Sequence, residues 1–477
     1  MSHETLHFIN GTWTANSSAE VLSVSSARTG RLLGWIPRGG HIEVDLAVAA
    51  ARNAQEHWAG LPSAERAESL RRIAAGLRAR EEDIVGLVAE EIGCVQSTAR
   101  IMQVGAAAAV FDDAALQIEE ALKERTLGNS RIIQQPLGVV AAITPWNFPL
   151  YQAALKVAPA LAVGCTVVLK PSEVAPFTAA ILAEVVSKAD LPAGVFNLIH
   201  GTGIDVGEHL VSHPEIDAVT FTGSDVAGSR VAELAGRSIK PVTLELGGKN
   251  PHLILDCVNL EAAVAYSVAS AFANNGQVCA ALSRLIVPRE YLPEVERLAL
   301  AEVRKFAPGD PRDAQTRLGP LASEGQLNRL NDILARTIEE GTEILTGGLG
   351  RPGGLERELA GGFFATPTVF TNVAPGSVID QEEAFGPVLA IVPYEGGADE
   401  GIRIANGTPY GLNAAVWSED LDLANRAAAR LHASTVYING GNFNATAPFG
   451  GTKRSGFGRE RGIAGLEEFI HTKSIQS

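Results

Sequence analysis

The chain has 477 residues, of which 46% are hydrophobic and 19% are charged, so we expect a globular protein of about three domain-sized units. The formal net charge of −15 leaves no basic surface for a nucleic-acid partner, and we predict none. The four cysteines, Cys94, Cys165, Cys257 and Cys279, are too scattered for a disulfide framework or a CxxC metal site. This usage favours a reducing, cytoplasmic compartment.

No membrane partner is expected either. The N-terminus has no cationic head followed by an apolar core, so the sequence predicts no signal peptide. The longest apolar run lies between Lys156 and Lys170, where Pro159 and Gly164 interrupt it. This run is too short to cross a bilayer.

The first hundred residues are predicted to be largely helical. Apolar residues recur every three or four positions in residues 42–58 and again in 64–92, with charged residues on the other face. Residues 105–122 are predicted to form another alanine-rich helix. The polar segment 123–135 is predicted to be a pair of strands that leaves this domain.

Strands and helices then alternate in two successive regions. In the first region, buried strands are predicted at residues 138–144, 166–170, 195–199 and 218–222, with helices at 153–163, 175–189, 203–212 and 226–235. Such alternation, with both sheet faces apolar, is typical of a doubly wound parallel sheet. A second α/β unit is predicted from residue 253, with strands at 283–287, 388–392 and 414–416, and helices at 291–306 and 326–340. Residues 469–477 are predicted to be a strand that needs an edge, which another subunit could supply.

Cys279 is the candidate nucleophile. It follows a glycine among small residues and amides, and Arg284 lies close behind it. A reachable thiol becomes a strong nucleophile as a thiolate, although most free cysteines are merely small buried side chains. Cys279 therefore needs catalytic partners elsewhere in the chain.

Two such partners can be identified. Asn147 lies between two prolines after the first predicted strand, so its amide can be aimed at a developing oxyanion; a buried asparagine that stabilises a turn is the alternative. Glu245 ends a strand between two leucines. Partial desolvation there would raise the pKa of Glu245 toward that of a general base. A structural ion pair with Lys249 is the alternative.

A dinucleotide site is predicted at the carboxyl ends of the strands. Residues 222–228 open a helix whose N-terminus can stabilise a pyrophosphate, although an ordinary strand-to-helix turn has the same appearance. Lys170 and Glu173 can hold a ribose, and the carboxylate would repel a 2′-phosphate, which favours NAD over NADP. The near-match to GxGxxG at residues 201–207 is weak evidence. The sequence contains neither a P-loop nor GxSxG, which argues against an ATPase and a serine hydrolase.

Histidine spacing raises the question of a metal at His209 and His213, four residues apart. No Glu-x-x frame, third ligand or nearby cysteine accompanies them, and Pro214 ends their helix. We interpret them as cation-favouring residues at a helix C-terminus and predict no metal.

Seven motifs converge on one family. They are residues 145–149 (PWNFP), 170–173 (KPSE), 221–224 (FTGS), 245–249 (ELGGK), 276–279 (GQVC), 382–387 (EEAFGP), and 448–451 (PFGG) with 458–460 (GRE). With these motifs in the family's order, the sequence resembles the NAD(P)-dependent, non-acylating aldehyde dehydrogenases over essentially its whole length. Ala384 departs from the pattern, since isoleucine is commoner there.

The resemblance implies three domains. They are a Rossmann-like nucleotide-binding domain (1–117 and 137–246), an α/β catalytic domain (247–447) and a small β oligomerisation element (118–136 and 448–477) of a homodimer or homotetramer. It implies oxidation of an aldehyde to the acid with NAD, NADP being possible. Cys279 would be the nucleophile and Glu245 the base, and Asn147 would share the oxyanion hole with the Cys279 N–H.

The resemblance also implies the remaining site residues. Cofactor-binding residues would be Trp146, Lys170, Ser172, Glu173, Gly223, Ser224, Gly228, Leu246, Glu383 and Phe385. The aldehyde channel would be lined by Phe148, Gln152, Leu155, Val278, Ala280 and Phe449, and a proton relay would use Lys156 and Glu460. Such a channel is apolar, has aromatic sides and carries no fixed charge, so it favours medium aliphatic or aromatic aldehydes over charged ones.

Three other functions are compatible with parts of this pattern. A dehydrogenase that passes the acyl group to coenzyme A would not need Glu245 to activate water. A cysteine hydrolase without a redox step would leave the dinucleotide motifs unexplained. A non-catalytic protein on the same fold would not need Cys279, Glu245 and Asn147 together.

Overall fold

Strands and helices alternate along most of the chain in the computed structural model, which describes residues 6–256 and 259–477. Cys257 therefore lies outside the described residues. The strands are β1 Leu6–Ile9, β2 Thr12–Ala15, β3 Val21–Ser25, β4 Leu32–Pro37, β5 Arg125–Leu127, β6 Ser130–Pro136, β7 Val139–Ile143, β8 Thr166–Lys170, β9 Phe196–Leu198, β10 Ala218–Thr222, β11 Val242–Glu245, β12 Pro251–Ile254, β13 Arg284–Pro288, β14 Glu343–Thr346, β15 Thr368–Thr371, β16 Val388–Tyr394, β17 Tyr410–Gly411, β18 Asn413–Trp417, β19 Thr435–Ile438, β20 Thr452–Lys453, β21 Gly456–Phe457 and β22 Ile470–Gln476. The α-helices are α1 His41–Gly60, α2 Ser63–Ala79, α3 Glu81–Ile92, α4 Gln96–Thr98, α5 Ala106–Ala121, α6 Pro149–Val163, α7 Phe177–Val186, α8 Glu208–Ser212, α9 Asp225–Gly236, α10 Leu260–Phe272, α11 Leu292–Val303, α12 Glu324–Glu339, α13 Val378–Gln381, α14 Ala398–Ala405, α15 Leu421–Ala428 and α16 Gly462–Glu467.

An eight-stranded sheet has the order β2-β1-β9-β8-β7-β10-β11-β21. Its five central strands, which are β9, β8, β7, β10 and β11, run parallel. The chain moves outward from β7 through β8 to β9, and then returns to place β10 and β11 on the other side of β7. The loops after β7 and β10 therefore diverge, which leaves the crevice where doubly wound sheets bind ligands.

Helices cover both faces of this sheet, so every residue of β7, β8 and β10 is buried. Alternate residues of β7 belong to different cores. Val140 and Ala142 pack with α2, α5, α6 and α7, whereas Val139 and Ala141 pack with α1 and α9. Because successive side chains of a strand point to opposite faces of the sheet, this one apolar run contributes to two separate cores.

A seven-stranded sheet follows, with the order β14-β15-β16-β13-β12-β18-β19. All its neighbours run parallel except β14 and β15. Helices α10 and α11 cover one face, and α12, α14 and α15 cover the other. The predicted domain boundary at 246/247 falls between β11 and β12, although the division into domains stays a prediction.

The C-terminal strand finds its edge within the chain. β22 pairs antiparallel with β6 along its whole length, from Ile470 opposite Pro136 to Gln476 opposite Ser130, and β5 completes a three-stranded sheet. This answers the question that the sequence left open, because the pairing strand belongs to the same chain. Six of the seven residues of β22 are exposed.

The N-terminal region departs from the sequence prediction. Within residues 6–40, four strands precede α1; β1 joins the large sheet beside β9, and β3 pairs with β4 in a separate hairpin. These strands are four to six residues long, and the much stronger helical periodicity after residue 41 concealed them. The segment Gln96–Ala121 is long and apolar enough to span a membrane by length and composition. Its α5 part packs against α2 and α6, with Phe111 in the core, as a core helix does.

Candidate active site

A cleft lies at the carboxyl ends of β7, β10 and β11, at the turning point of the sheet. It is lined by Pro145, Trp146, Asn147, Thr222, Gly223, Ser224, Leu246, Gly247, Cys279, Gln326, Arg329, Glu383 and Phe385. The structure thus brings together two of the predicted catalytic residues and six of the predicted cofactor residues, which come from distant parts of the chain.

A tight turn presents Cys279 to this cleft. Asn274, Asn275 and Gly276 have positive φ angles of 46°, 62° and 76°. A Cβ at Gly276 would lie 2.0 Å from the carbonyl of Gly386, so only glycine fits there. The Asn275 side chain fixes the turn through three hydrogen bonds to backbone groups. Cys279 follows this turn and is partly exposed.

The Asn147 amide lies beside the cysteine loop. Its Nδ2 donates to the Gln277 carbonyl at 3.0 Å, and its own backbone carbonyl accepts from Asn274 Nδ2 at 2.9 Å. Pro149 begins α6 immediately afterwards, which fixes the backbone of this loop. Because an amide nitrogen carries two hydrogens, the second N–H of Asn147 can donate to an oxyanion.

Glu245 is the last residue of β11 and is only 1% exposed. Neither of its carboxylate oxygens has a hydrogen-bond partner among the described residues. Burial, reinforced by the nearby negative charge of Glu460, raises the pKa of Glu245 well above the ordinary carboxyl value. In the described part of the chain, Lys249 forms no ion pair with Glu245 that would lower this pKa. The structure therefore favours the predicted base over the predicted ion pair.

The two predicted relay residues form a buried pair behind Glu245. Lys156 Nζ lies 2.6 Å from Glu460 Oε1 and 2.6 Å from Thr222 Oγ1. The second Glu460 oxygen has no partner within the described ranges. Lys156 comes from α6 and Glu460 from the C-terminal segment, so the pair connects α6 to the end of the chain. A buried pair of this kind costs desolvation energy, which makes a functional role worth testing.

Burial raises the pKa of the Cys279 thiol well above its ordinary value, and the negative charges of Glu245, Glu383 and Glu460 add to this effect. The positive charge of Arg461 opposes it. The resting thiol is therefore protonated and needs a base when it attacks. Arg284, which follows the cysteine in sequence, is not at the site: it is fully buried and pairs with Asp380 at 2.7 Å.

The remaining cofactor candidates lie along the same edge of the sheet. Lys170, buried at the end of β8, contacts the Glu173 carboxylate at 3.0 Å. Ser172 Oγ accepts from the Val174 N–H. In the first turn of α9, a Cβ at Gly228 would lie 2.4 Å from the Leu246 side chain, so this helix approaches the cleft closely.

Glu383 is held at the opposite wall of the cleft. Its Oε1 accepts from the Gly248 N–H at 2.9 Å, and burial raises the pKa of Glu383 to about 7. The rings of Trp146 and Phe385 meet edge to face, with centroids 5.4 Å apart, and Ser224 caps α9 by accepting from the Ala227 N–H. The cleft therefore combines an aromatic wall with a side-chain-capped helix N-terminus.

Sequence reasoning missed several cleft residues, of which Gln326 and Arg329 are the clearest. They lie one helical turn apart on α12, and Gln326 Nε2 donates to the Phe385 carbonyl at 2.9 Å. Their spacing of three was the only available signal, and it is equally typical of any solvent-exposed helix face.

Only three of the six predicted aldehyde-channel residues lie in one cluster. Phe148 and Leu155 pack with Tyr151 in one buried cluster, and Val278 contacts its edge. Gln152 is buried on the same helix, and its Oε1 has no partner in the described structure. Ala280 turns its carbonyl toward Asn413 Nδ2 at 2.8 Å, while Phe449 is buried farther along the chain.

The channel also carries a charge that the sequence analysis did not expect. The Arg461 guanidinium carbon lies 4.4 Å from the Phe449 ring centroid and 5.8 Å from that of Tyr151. A positive charge therefore lies against Phe449, one of the predicted wall residues, while the channel itself stays a prediction. A residue that follows a family motif gives no sign of the direction its side chain takes, and the side chain of Arg461 folds back onto the aromatic rings.

The histidine pair binds a carboxylate. His209 Nε2 lies 2.8 Å from Asp45 Oδ1, and His213 lies 3.5 Å from the same oxygen. Across residues 6–256 and 259–477, no group of three or more His, Cys, Asp or Glu side chains is arranged to hold a metal.

Comparison with known proteins identifies one family. Residues 13–475 match the model of the aldehyde dehydrogenase family. The 3-succinoylsemialdehyde-pyridine dehydrogenase of a Pseudomonas species is 43% identical over 469 residues, which cover 98% of this chain and 97% of that protein.

Solved structures agree with this comparison. A cysteine-to-alanine mutant of aldehyde dehydrogenase C from Pseudomonas syringae, in complex with NAD+ and octanal, superposes with a TM-score of 0.97 at 42% identity, covering 100% of this chain and 97% of that one. A point mutant of betaine aldehyde dehydrogenase from Staphylococcus aureus, in complex with NAD+, has a TM-score of 0.95 at 34% identity and covers 100% and 97%. The predicted resemblance and the predicted fold class are confirmed.

Proposed function

Since the chain belongs to the aldehyde dehydrogenase family, we propose that it oxidises an aldehyde to the carboxylic acid, with NAD+ as the hydride acceptor. The observation that carries the proposal is the meeting of Cys279 and Asn147 in one cleft, with Glu245 at the end of the neighbouring strand. The relatives bound to NAD+ and octanal support the choice of cofactor and substrate type.

The cleft fits a dinucleotide. Gly223 and Ser224 place the N-terminus of α9 at the cleft, where the helix dipole would attract a pyrophosphate. Gly247 brings the backbone close to Glu383, since a Cβ there would lie 2.4 Å from the carboxylate. Lys170 and Glu173 would hold the adenosine ribose. The Glu173 carboxylate would disfavour the additional phosphate of NADP.

Cys279 begins the reaction. Its proton passes to Glu245, and the sulfur attacks the aldehyde carbon, forming a C–S bond while the carbonyl oxygen becomes an oxyanion. The Asn147 amide and the Cys279 N–H stabilise this oxyanion. Bound NAD+ would supply the hydride acceptor, so that collapse of the oxyanion would leave a thioester on Cys279.

Glu245 completes the cycle. After the proton taken from Cys279 has passed onward, Glu245 takes a proton from a water molecule. The resulting hydroxide attacks the thioester and releases the acid and the Cys279 thiolate, which recovers a proton from Glu245. Neither oxygen of Glu245 has a partner among the described residues, so either can accept a hydrogen bond from this water, and Glu460 and Lys156 can pass the proton onward. A carboxylate placed to activate water favours hydrolysis over transfer to coenzyme A.

The assay for this function measures NADH and product together. Neutral aldehydes should reduce NAD+ stoichiometrically and yield the free acid, with NADP+ a poorer acceptor. The same reactions run with coenzyme A test the alternative. Formation of acyl-CoA, or acid release without NADH, would contradict the proposal.

Asn147→Ala should lower kcat by about 10²-fold to 10³-fold, because it removes a donor to the oxyanion. The measurement is steady-state NADH formation, with thermal unfolding as the control for the lost hydrogen bond to Gln277. Near-normal kcat in a folded variant would show that Asn147 only stabilises the turn.

The small β element is proposed to join copies of the chain into a homodimer or homotetramer. β22 and β5 are the outer strands of their sheet and are mostly exposed, and such edges pair readily with another strand. We keep the three-domain division and a cytoplasmic location as parts of the same proposal.

A further inference from the structure

The Arg461 side chain lies in an aromatic box. Its guanidinium carbon is 4.4 Å from the ring centroid of Phe449, 4.5 Å from that of Phe443 and 5.8 Å from that of Tyr151. Rings at these distances attract the positive guanidinium through their π faces. They satisfy none of its N–H donors, which point outward in the plane of the group.

No carboxylate among the described residues forms a salt bridge with the Arg461 side chain. The side chain hydrogen-bonds the Tyr151 hydroxyl, but its buried Nε has no hydrogen-bond partner in the described structure. Asp113 lines a neighbouring cavity with Arg461 and Leu155, yet it stays beyond ion-pair distance. Arginine usually binds a carboxylate through two parallel N–H bonds, so this one lacks its preferred partner.

The backbone holds the side chain in this position under strain. Arg461 has φ 71° and ψ 155°, a region that is essentially reserved for glycine. The residue before it, Glu460, points inward to Lys156, whereas Arg461 points to the rings. Residues with strained backbone angles cluster at functional sites, which indicates a functional role for the Arg461 side chain.

The aromatic box leads toward the nucleophile. Tyr151, one of its walls, packs with Phe148 and Leu155, and this cluster contacts Val278, the neighbour of Cys279. The charge of Arg461 also acts on the Cys279 thiol. An extended aldehyde whose carbonyl lies at the sulfur would therefore run along this wall toward the guanidinium.

We propose that Arg461 binds a carboxylate at the far end of the aldehyde substrate, so that the preferred substrate class is the half-aldehydes of dicarboxylic acids. The proposal deepens the function given above and rests on it. The aromatic rings hold the guanidinium in place, and the substrate carboxylate supplies an acceptor for the unpartnered Nε–H. The methylene chain contacts Phe148, Leu155 and Val278.

The test compares three aldehydes at each of several chain lengths: one that ends in a carboxylate, its methyl ester, and one that ends in a methyl group. At the best-fitting length, kcat/KM should be on the order of 10-fold to 100-fold higher for the carboxylate than for its ester. The difference should lie mainly in KM, because Arg461 would hold ground state and transition state alike.

Two variants assign this preference to Arg461. Arg461→Gly removes the guanidinium at a backbone conformation that suits glycine, so it should fold at least as well as the natural chain. Arg461→Gln keeps a side chain of similar length. In both variants the ratio of carboxylate to ester should fall to about 1, whereas Arg297→Gln, at an exposed arginine paired with Glu294, should keep the wild-type ratio.

A wild-type ratio at or below 1 would overturn the assignment, as would a high ratio that survives both Arg461 variants. In either case, NADH formation from the neutral aldehydes would leave the proposed function intact. If none of the aldehydes reduced NAD+, the proposed function and the substrate class would fail together.

Discussion

Cys279→Ala is expected to lower kcat by roughly 10⁴-fold to 10⁶-fold, because the sulfur forms the covalent bond on which both half-reactions depend. Thermal stability and NAD+ affinity should change little, since the side chain is partly exposed at the cleft and its backbone is fixed by the preceding turn. Steady-state NADH formation measures the first effect, and equilibrium NAD+ titration measures the second.

Cys94→Ala is the matched control. Cys94 is fully buried, and burial raises its thiol pKa to about 12, so it is an inert core residue outside the cleft. This variant should lose some stability but keep its kcat. A Cys279→Ala variant that turned over at more than a few per cent of the wild-type rate would remove Cys279 from the mechanism.

Glu245→Gln is expected to stop the cycle after hydride transfer. Loss of a general base costs about 10²-fold to 10⁴-fold, and here the loss falls on thioester hydrolysis. Rapid mixing with aldehyde and NAD+ should therefore give a burst of NADH close to one equivalent of active sites, followed by a slow steady phase. Because Glu245 also receives the thiol proton in our scheme, the burst itself should be slower than in the wild type.

The pH dependence follows from the direction of the Glu245 pKa shift. Only the carboxylate form accepts a proton, and burial with the charge of Glu460 raises the pKa of Glu245. Wild-type thioester hydrolysis should therefore speed up as the pH rises above the ordinary carboxyl range, and then level off above the raised pKa. The glutamine variant should lack this rise.

Glu91→Gln is the control for a buried carboxyl group. Burial raises the pKa of Glu91 to about 7, and Glu91 accepts from the Phe177 N–H and the Thr178 hydroxyl, away from the cleft. Its replacement should leave the burst and the pH dependence of hydrolysis unchanged. Fast steady turnover in Glu245→Gln without a burst would contradict the assigned base.

The sequence was sufficient to predict strands and the cleft where the local pattern agrees with the tertiary structure. Four apolar runs separated by helices predicted four of the five central strands, and the loops after β7 and β10 predicted the cleft. The prediction held because parallel strands buried on both faces must be continuously apolar. Short N-terminal strands such as β1 and β3 gave no such signal, since their burial depends on partners distant in the chain.

Side-chain direction was beyond the reach of sequence reasoning. Arg284 lies near Cys279 in sequence but pairs with Asp380 in another part of the molecule. Arg461 lies far from the cysteine in sequence but shares its channel wall. Both outcomes depend on backbone angles and packing, which residue type alone does not specify.

The most direct test of the central claim is mass spectrometry of Glu245→Gln, quenched during turnover of an aldehyde with NAD+. The peptide that contains Cys279 should carry one acyl group, in an amount that matches the NADH burst. No adduct should form without NAD+, or when Cys279 is also replaced by alanine. An acyl group on another cysteine, or a burst of NADH with Cys279 unmodified, would contradict the mechanism.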